Sequence, residues 1–362
     1  MLINGYEEDT YMSFKPIVAI TMGDPASIGP EITIKSLAGH TEIYDTCKPL
    51  VIGDACVMEN AKKFLPQYKD VVIHAVEKVE DAKFEPGTID VYDLKLVNID
   101  ELKIGEVSVM AGEAAFQYVK KAIDLAMANE VDGTVTNAFN KEAINLAGHH
   151  FSGHTEVYAH YTGVKKYCMM LAHQNMRVTH VSTHVSLREA CDRAKKERVL
   201  EVIRMTHEGC KDLGIENPRI AVAGLNPHCG EGGLFGREEI DEIIPAIEEA
   251  KAEGINVVGP VPPDTVHSKL RGGWYDVVVC MYHDQGHIPM KVVGFVYNQN
   301  EQKWDAVEGI NLTLGLPIVR VSVDHGTAFD QAGTGMASEL SLMNSIDYGV
   351  KLSRGRWEKM HR

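Results

Sequence analysis

Residues 276–291 read Asp-Val-Val-Val-Cys-Met-Tyr-His-Asp-Gln-Gly-His-Ile-Pro-Met-Lys. The apolar part, Asp276 to Tyr282, predicts a buried β-strand, and the polar part predicts a turn directly after it. In α/β sheets, ligands bind beyond the carboxyl ends of the strands. The imidazole of His283, the carboxylate of Asp284 and the amine of Lys291 therefore mark a candidate site for an anion. A solvated polar loop is the competing interpretation.

Alternating strand and helix patterns continue on both sides of this run. Apolar stretches such as Lys15–Met22 and Arg219–Leu225 predict strands. Gly112–Glu130 predicts a helix, because small apolar residues recur there at spacings of four, three and four. This alternation favours an α/β architecture with largely parallel sheets. The polar segment Tyr297–Glu308 is predicted to be an irregular loop.

Composition and charge restrict the class of protein. The chain has 362 residues and a net charge of −15, which argues against a nucleic-acid or anionic-membrane partner. Its longest apolar runs are strand-sized, so no membrane span is expected. Met1–Tyr11 lacks the pattern of a signal peptide and is predicted to be a disordered extension. The seven scattered cysteines form no C-x-x-C pair, which is typical of reduced thiols and predicts a cytoplasmic protein.

Three histidines follow three predicted strands. His184, His228 and His283 each come a few residues after an apolar run. Three imidazoles at strand ends can form an open site for a divalent metal. Their spacing is too wide for a local motif, so hydrogen-bonded loop histidines are the alternative. His180 lies within a predicted strand and is expected to be a core histidine or a support for a ligand.

Several other polar residues are candidates for binding an anionic substrate. Ser152–Glu156 predicts a glycine turn that opens a helix, where backbone N–H groups, His154 and Thr155 can face an anion. Arg320 lies within an apolar strand, and a buried arginine needs a partner or a ligand. Asp264 and Asn311 lie at the ends of predicted elements, where turn or cap roles are the alternative.

Dinucleotide and phosphate fingerprints are missing from the sequence. Gly230–Gly236 is rich in glycine but has Phe235 where G-x-G-x-x-G needs glycine, and no Gly-Lys-Ser/Thr follows. A nicotinamide cofactor would therefore need another mode of binding.

Five motifs, in order, resemble one family. They are Thr21-Met22-Gly23-Asp24-Pro25-Ala26-Ser27-Ile28-Gly29-Pro30-Glu31, Gly153-His154-Thr155-Glu156, Leu225-Asn226-Pro227-His228, Met281-Tyr282-His283-Asp284-Gln285-Gly286 and Ser322-Val323-Asp324-His325-Gly326-Thr327. Together they resemble the 4-hydroxythreonine-4-phosphate dehydrogenase family of pyridoxal phosphate biosynthesis. The resemblance runs from about Pro16 to Asp347.

The resemblance implies a fold like that of isocitrate and isopropylmalate dehydrogenases, in which a cleft separates two α/β domains. We expect a discontinuous first domain at residues 1–147 and 327–362, and a second domain at 148–326 with the metal site and the dimer interface. The resemblance also implies a homodimer with a shared active site.

The resemblance further implies which residues carry the chemistry. A divalent metal (zinc, magnesium, manganese or cobalt) would be held by His184, His228 and His283, one of them from the partner subunit. Substrate contacts fall on the residues His154, Thr155, Asp264, Lys291, Asn311 and Arg320. Lys291 is the candidate for proton transfer or carboxylate binding, and Asp264 is the candidate base or supporting carboxylate. The cofactor would be NAD.

The expected reaction is oxidation of a hydroxyl group on a 4-phosphorylated hydroxy acid, followed by decarboxylation of the β-keto acid. A metal would lower the pKa of the substrate hydroxyl and stabilise the enolate.

This chain departs from the biosynthetic members of the family. Ser27 replaces a usual glycine, Asn137–Phe139 replaces a turn that usually contains proline, and Ser186 stands where proline is frequent. Tyr297–Glu308 is an insertion between two expected substrate contacts. The insertion and the run His184-Val185-Ser186-Leu187 resemble the catabolic branch, which oxidises D-threonate or D-erythronate 4-phosphate to dihydroxyacetone phosphate. 4-Hydroxy-L-threonine 4-phosphate is the other candidate substrate.

Two other classes compete with this interpretation. A non-redox phosphate acyltransferase on a related scaffold would not need the three histidines. A binding or regulatory protein without catalysis would not need Lys291, Arg320 or the histidines.

Overall fold

The computed structural model describes residues 14–298 and 303–361, with backbone alone at 296–298 and 303–307. The predicted disordered extension Met1–Tyr11 lies outside the described residues. The described residues form two compact units. The first unit combines the described residues up to Val164 with those from Leu316 onward, and the second is Lys165–Gly315. The domain boundaries expected after residues 147 and 326 stay a prediction, because contact-defined units need not be folding domains.

Strands and helices alternate along most of the described chain. The strands are β1 Ile17–Thr21, β2 Lys48–Gly53, β3 Val72–Val76, β4 Thr88–Asp93, β5 Gly133–Thr136, β6 Cys168–His173, β7 Met176–His180, β8 Ile220–Ala223, β9 Val257–Val261, β10 Val277–Cys280, β11 Phe295–Asn298, β12 Lys303–Val307, β13 Ile310–Leu314 and β14 Arg320–Val323. The α-helices are α1 Gly29–Gly39, α2 Ile43–Thr46, α3 Ala55–Ala61, α4 Val109–Met127, α5 Lys141–Leu146, α6 His154–Thr162, α7 Leu187–Arg193, α8 Lys196–Asp212, α9 Ile244–Ala252, α10 Pro263–Arg271, α11 His283–Gly294 and α12 Leu340–His361. The predicted α/β class is confirmed.

The first unit is built on parallel strands in the order β3-β4-β2-β1-β5-β14. One long apolar helix of this unit is α4, which begins where Ser108 caps it by accepting a hydrogen bond from the Ala111 N–H (3.1 Å). The predicted apolar face of α4 is buried, and its members include Ala115, Val119, Ala122 and Ala126. Burial of this face holds α4 in place.

The second unit has the strand order β13-β6-β7-β10-β8-β9. β6 runs antiparallel to both β13 and β7, whereas β7, β10, β8 and β9 are mutually parallel. Its core includes Val178 of β7, Val278 of β10 and Leu270 of α10. The expectation of largely parallel sheets is therefore confirmed, with β6 as the exception.

Two local expectations were wrong. The polar stretch after Tyr282 is not a turn but the helix α11, which contains Pro289. The segment Tyr297–Glu308 is not an irregular loop, because β11 and β12 pair antiparallel as a hairpin. Polar composition concealed both elements. Residues 299–302 of this segment lie outside the described part.

Within the described residues, no helix combines the length and apolarity needed to cross a membrane.

Candidate active site

Three neighbouring parallel strands of the second unit end at the predicted histidines. β10 lies between β7 and β8, with Cys280 beside His180 and Val279 beside Val222. Because these strands are parallel, their carboxyl ends face the same edge of the sheet. The chain that leaves β7 reaches His184, the chain that leaves β10 reaches His283, and the chain that leaves β8 reaches His228.

Hydrogen bonds hold these strand ends together. The Ser182 hydroxyl donates to the Met281 carbonyl at 3.1 Å. The side chain of Gln285 accepts from the Met281 N–H at 2.7 Å and donates to the Gly224 carbonyl at 2.8 Å. Gln285 is buried, so it fixes the start of α11 against the segment that leads to His228. This role of Gln285 could not be predicted from the sequence, because it depends on the position of α11.

His283 is the first residue of α11 and is oriented by the next residue. Its Nδ1 lies 2.7 Å from Oδ1 of Asp284, an arrangement that leaves Nε2 available to a metal. The ring centroids of His184 and His283 are 5.8 Å apart. His184 and His228 are exposed, and His283 is partly exposed.

Two further histidines lie beside His283. His287, one helical turn later, stacks on His283 with ring centroids 3.6 Å apart. Burial, followed by the neighbouring His283, lowers the pKa of His287 to about 4. The buried His180 ring is 4.8 Å from His287, and burial lowers the pKa of His180 to about 3. Both rings are therefore neutral at pH 7. The i, i+4 spacing of His283 and His287 in the sequence could have indicated that the two rings are neighbours on one face of a helix.

Gly286 makes this packing of histidines possible. A Cβ atom at Gly286 would collide with Nε2 of His180. The glycine of the motif is thus explained by the close contact of α11 with β7. His180 is a buried core histidine, which was one of the two roles expected from the sequence.

His228 lies in a left-handed turn. Residues 228–232 all have positive φ, and three of them, His228, Cys229 and Glu231, are not glycine. This conformation costs roughly 1–2 kcal/mol for each non-glycine residue, so the surroundings must enforce it. Such strain concentrates at functional sites. The sequence alone did not indicate this turn.

Asp264 is an exposed residue in the first turn of α10. Burial raises the pKa of the Cys229 thiol to about 11, with further contributions from the charges of Glu239 and Asp264. Asp264 therefore lies near the turn that carries His228.

Lys291 and Asn311 belong to different elements of the second unit. Lys291 lies two helical turns after His283 on α11, and its Nζ is 4.2 Å from the centroid of the Phe295 ring. Asn311 lies on β13, opposite Leu171 of β6. The hairpin β11–β12 connects these two elements.

No three His, Cys, Asp or Glu side chains are grouped to hold a metal within residues 14–298 and 303–361 of a single chain. The three-histidine ligand set, with one ligand from a partner subunit, therefore stays a prediction.

The first unit contains a separate cavity of about 190 Å³. It opens at the carboxyl ends of the parallel neighbours β5 and β14. Its lining residues are Thr136, Asn137, Ala138, Phe139, Lys141, Gly153, His154, Ser322, Val323, His325 and Gly326. An amine and two imidazoles in one cavity suit an anion.

Arg320 and His154 define the electrostatics beside this cavity. Burial lowers the pKa of Arg320 to about 10, so its guanidinium stays charged at pH 7. It donates to the Thr136 hydroxyl at 3.3 Å. Burial, followed by the charge of Arg320, lowers the pKa of His154 well below its usual value, so its imidazole is neutral. Thr155 is buried in the first turn of α6.

Phe139, one of the departures noted in the sequence, contacts a predicted substrate residue. Its ring stacks on His154 with centroids 3.8 Å apart. Asn137, another departure, donates to the Thr21 carbonyl (3.0 Å) and the Thr33 hydroxyl (2.9 Å). These two departures therefore have structural partners. Lys141 lines the same cavity and was not assigned a role from the sequence.

Comparisons with known proteins agree with this picture. The family model described as pyridoxal phosphate biosynthetic protein PdxA matches residues 45–349. A protein of Bradyrhizobium diazoefficiens named "Putative D-threonate 4-phosphate dehydrogenase" is 47% identical over 340 residues, covering 93% of this chain and 97% of its own. A protein of Oceanobacillus iheyensis with the same name is 45% identical over 346 residues, covering 94% of this chain and 99% of its own.

The fold is shared with a solved structure. The crystal structure of 4-hydroxythreonine-4-phosphate dehydrogenase from Klebsiella pneumoniae superposes with a TM-score of 0.82 at 41% identity. The match covers 94% of this chain and 99% of that one.

Proposed function

Because the chain belongs to the PdxA family of 4-hydroxythreonine-4-phosphate dehydrogenases, we propose that it oxidises a 4-phosphorylated four-carbon hydroxy acid. The observation that carries this proposal is the edge of the second unit where β7, β10 and β8 lead to His184, His283 and His228. The substrate candidates are D-threonate 4-phosphate, D-erythronate 4-phosphate and 4-hydroxy-L-threonine 4-phosphate. We place D-threonate 4-phosphate first, since two relatives at 45–47% identity carry its name.

The residues that would hold a divalent metal are His184, His228 and His283. The donor set fits such an ion, because neutral imidazoles suit zinc and similar metals, and Asp284 orients the His283 ring through Nδ1. A bound metal would stabilise negative charge that develops on the substrate oxygen atoms. We propose that a homodimer completes this set with one histidine from the partner subunit.

We assign binding of the phosphate group to Arg320, His154 and Thr155. The guanidinium of Arg320 matches phosphate oxygens in shape and charge. The neutral imidazole of His154 can donate a hydrogen bond to an anion. Asn311 and Lys291 are assigned to the hydroxyl and carboxylate end of the substrate.

The reaction balances in two steps. The C3 hydroxyl loses its proton to a base, for which Asp264 is the candidate, while hydride leaves C3. NAD accepts that hydride. The C1–C2 bond of the resulting β-keto acid then breaks, carbon dioxide leaves, and C2 receives a proton for which Lys291 is the candidate donor. D-Threonate 4-phosphate would give dihydroxyacetone phosphate.

The non-redox phosphate acyltransferase alternative is set aside, since the relatives and the structure described above are all dehydrogenases by name.

The metal content of purified protein tests the proposed ligands. We expect the native protein to retain a divalent metal after dialysis, and His228→Ala to lose most of it. His361→Ala, at the exposed end of α12, is the control and should keep the metal. Equal metal content in His228→Ala and the native protein would refute the ligand assignment.

A further inference from the structure

Backbone hydrogen bonds link both ends of the left-handed turn at residues 228–232 to the adjoining chain. Cys229 N–H donates to the Asn226 carbonyl at 3.1 Å, and Phe235 N–H donates to the Gly230 carbonyl at 3.1 Å. Since His228, Cys229 and Glu231 have side chains that disfavour positive φ, contacts from elsewhere must hold the turn.

Glu239 supplies those contacts. Its carboxylate is buried, with 1% of the residue exposed. Oε1 accepts hydrogen bonds from the N–H groups of Leu225 (2.8 Å) and Asn226 (2.7 Å). Oε2 accepts from Nδ2 of Asn226 at 2.9 Å. Both carboxylate oxygens therefore bind the segment that enters the turn.

The same carboxylate also lies directly against the turn. A Cβ atom at Gly230 would lie 2.8 Å from Oε2 of Glu239, and a Cβ atom at Gly224 would lie 3.2 Å from Oε1. Glycine at both positions thus leaves room for the carboxylate.

Glu239 begins an unusual helical segment. Residues Glu239–Ile243 form one stretch of π-helix before α9. Such stretches are rare and are frequent at functional sites.

We propose that Glu239 is the positioning residue for His228: its buried carboxylate fixes the left-handed turn and so presents the imidazole for metal binding. This inference rests on the proposed function, because it takes His228 to be a ligand. Glu239 would act through the backbone of the turn and not as a metal ligand.

The test compares Glu239→Gln with Glu242→Gln. The control removes a carboxylate from the same helical segment, where it accepts from Lys196 N–H (2.9 Å) and Lys195 Nζ (3.0 Å) instead of holding the turn. Full-length protein is stripped with a chelator and titrated with Zn²⁺ and with Mn²⁺ by calorimetry, and the melting temperature of each metal-free protein is recorded.

We expect Glu239→Gln to weaken metal binding by about tenfold or more, as is usual when a support of a ligand is removed. Glu242→Gln should bind within about twofold of the native protein. A purely structural role would lower the melting temperature of Glu239→Gln and leave its metal affinity unchanged, which overturns the proposal.

Two further variants keep the result interpretable. If Glu239→Gln does not fold, Asn226→Ala is used instead, because it removes the hydrogen bond to Oε2 of Glu239. We expect Asn226→Ala to weaken metal binding severalfold. A metal affinity equal to that of the native protein would overturn the proposal. His228→Ala separates the two hypotheses. If His228→Ala loses metal while Glu239→Gln binds it normally, the positioning role of Glu239 is refuted and the ligand role of His228 stands. If His228→Ala binds metal normally, or the native protein binds no metal, both roles are refuted.

Discussion

Arg320 is the residue whose environment most directly indicates an anionic ligand. It is 3% exposed and lies among apolar residues of β14, beside a cavity that contains Lys141, His154 and His325. A buried guanidinium is retained where its planar set of donors matches a partner. Its position was predictable from the sequence, because an arginine interrupts the run Ile318–Val323.

Replacement of Arg320 by lysine should impair phosphate binding while preserving charge. Loss of paired hydrogen bonds to a charged group costs about 1.5–3 kcal/mol. We therefore expect KM for the phosphorylated substrate to rise by roughly 10–100-fold, measured by steady-state kinetics. The control is Arg219→Lys, which alters a partly exposed ion pair with Asp276. Equal KM values in the two variants would contradict the assignment.

Asp24 gives the first unit a pH dependence. The residue is fully buried, and burial raises its pKa to about 6 from 3.8. The folded state therefore binds the Asp24 proton more tightly than the unfolded state does. The contribution of Asp24 to the free energy of unfolding thus falls as pH rises from about 4 to about 6.

Asp24→Asn should remove this penalty, because asparagine can still accept from the Ala26 N–H, at present 2.9 Å from Oδ1. We expect its free energy of unfolding at pH 7 to exceed that of native protein by about 2–3 kcal/mol, and the difference to vanish at about pH 3. Urea denaturation at both pH values measures this. The exposed Asp100→Asn is the control, and a difference independent of pH would disprove the explanation.

At the scale of elements, the strands and helices that have a regular apolar pattern could be predicted from the sequence. The strands β7, β8 and β10 and the helix α4 follow from their apolar patterns. The helix α11 was missed because its first residues are polar and Pro289 lies inside it. Packing against β6, β7 and β10, which sequence does not reveal, stabilises it.

The left-handed turn shows a second kind of limit. His228, Cys229 and Glu231 have no local preference for positive φ, and the turn depends on a carboxylate eight or more residues later. Only the folded chain brings Glu239 to Leu225 and Asn226. The candidate histidines could thus be named from the sequence, but the groups that orient them could not.

Gln285 connects three elements of the second unit, and its loss should be costly. Gln285→Ala would leave the Met281 N–H and the Gly224 carbonyl without these bonds. Unsatisfied buried groups cost about 1–3 kcal/mol each, so we expect at least that loss in the free energy of unfolding. Urea denaturation of Gln285→Ala and of Gln117→Ala, whose side chain bonds Glu113 within α4, provides the comparison. A loss no larger than in the control would refute the role.

At the scale of the whole molecule, each of the two units contains its own group of candidate residues. The first unit has the cavity with Lys141, His154 and His325, and Arg320 lies beside it. The second unit has the histidines at the ends of three parallel strands. The cleft, the homodimer and the influence of the hairpin β11–β12 on substrate choice stay predictions.

Formation of NADH by metal-free and metal-reconstituted protein tests the central claim most directly. D-Threonate 4-phosphate, D-erythronate 4-phosphate and 4-hydroxy-L-threonine 4-phosphate are each supplied with NAD, and absorbance and released carbon dioxide are followed together. We expect equal amounts of NADH and carbon dioxide with at least one substrate, highest for D-threonate 4-phosphate, and only after a divalent metal is restored. Turnover that does not need the metal, or no turnover with any of the three, would contradict it.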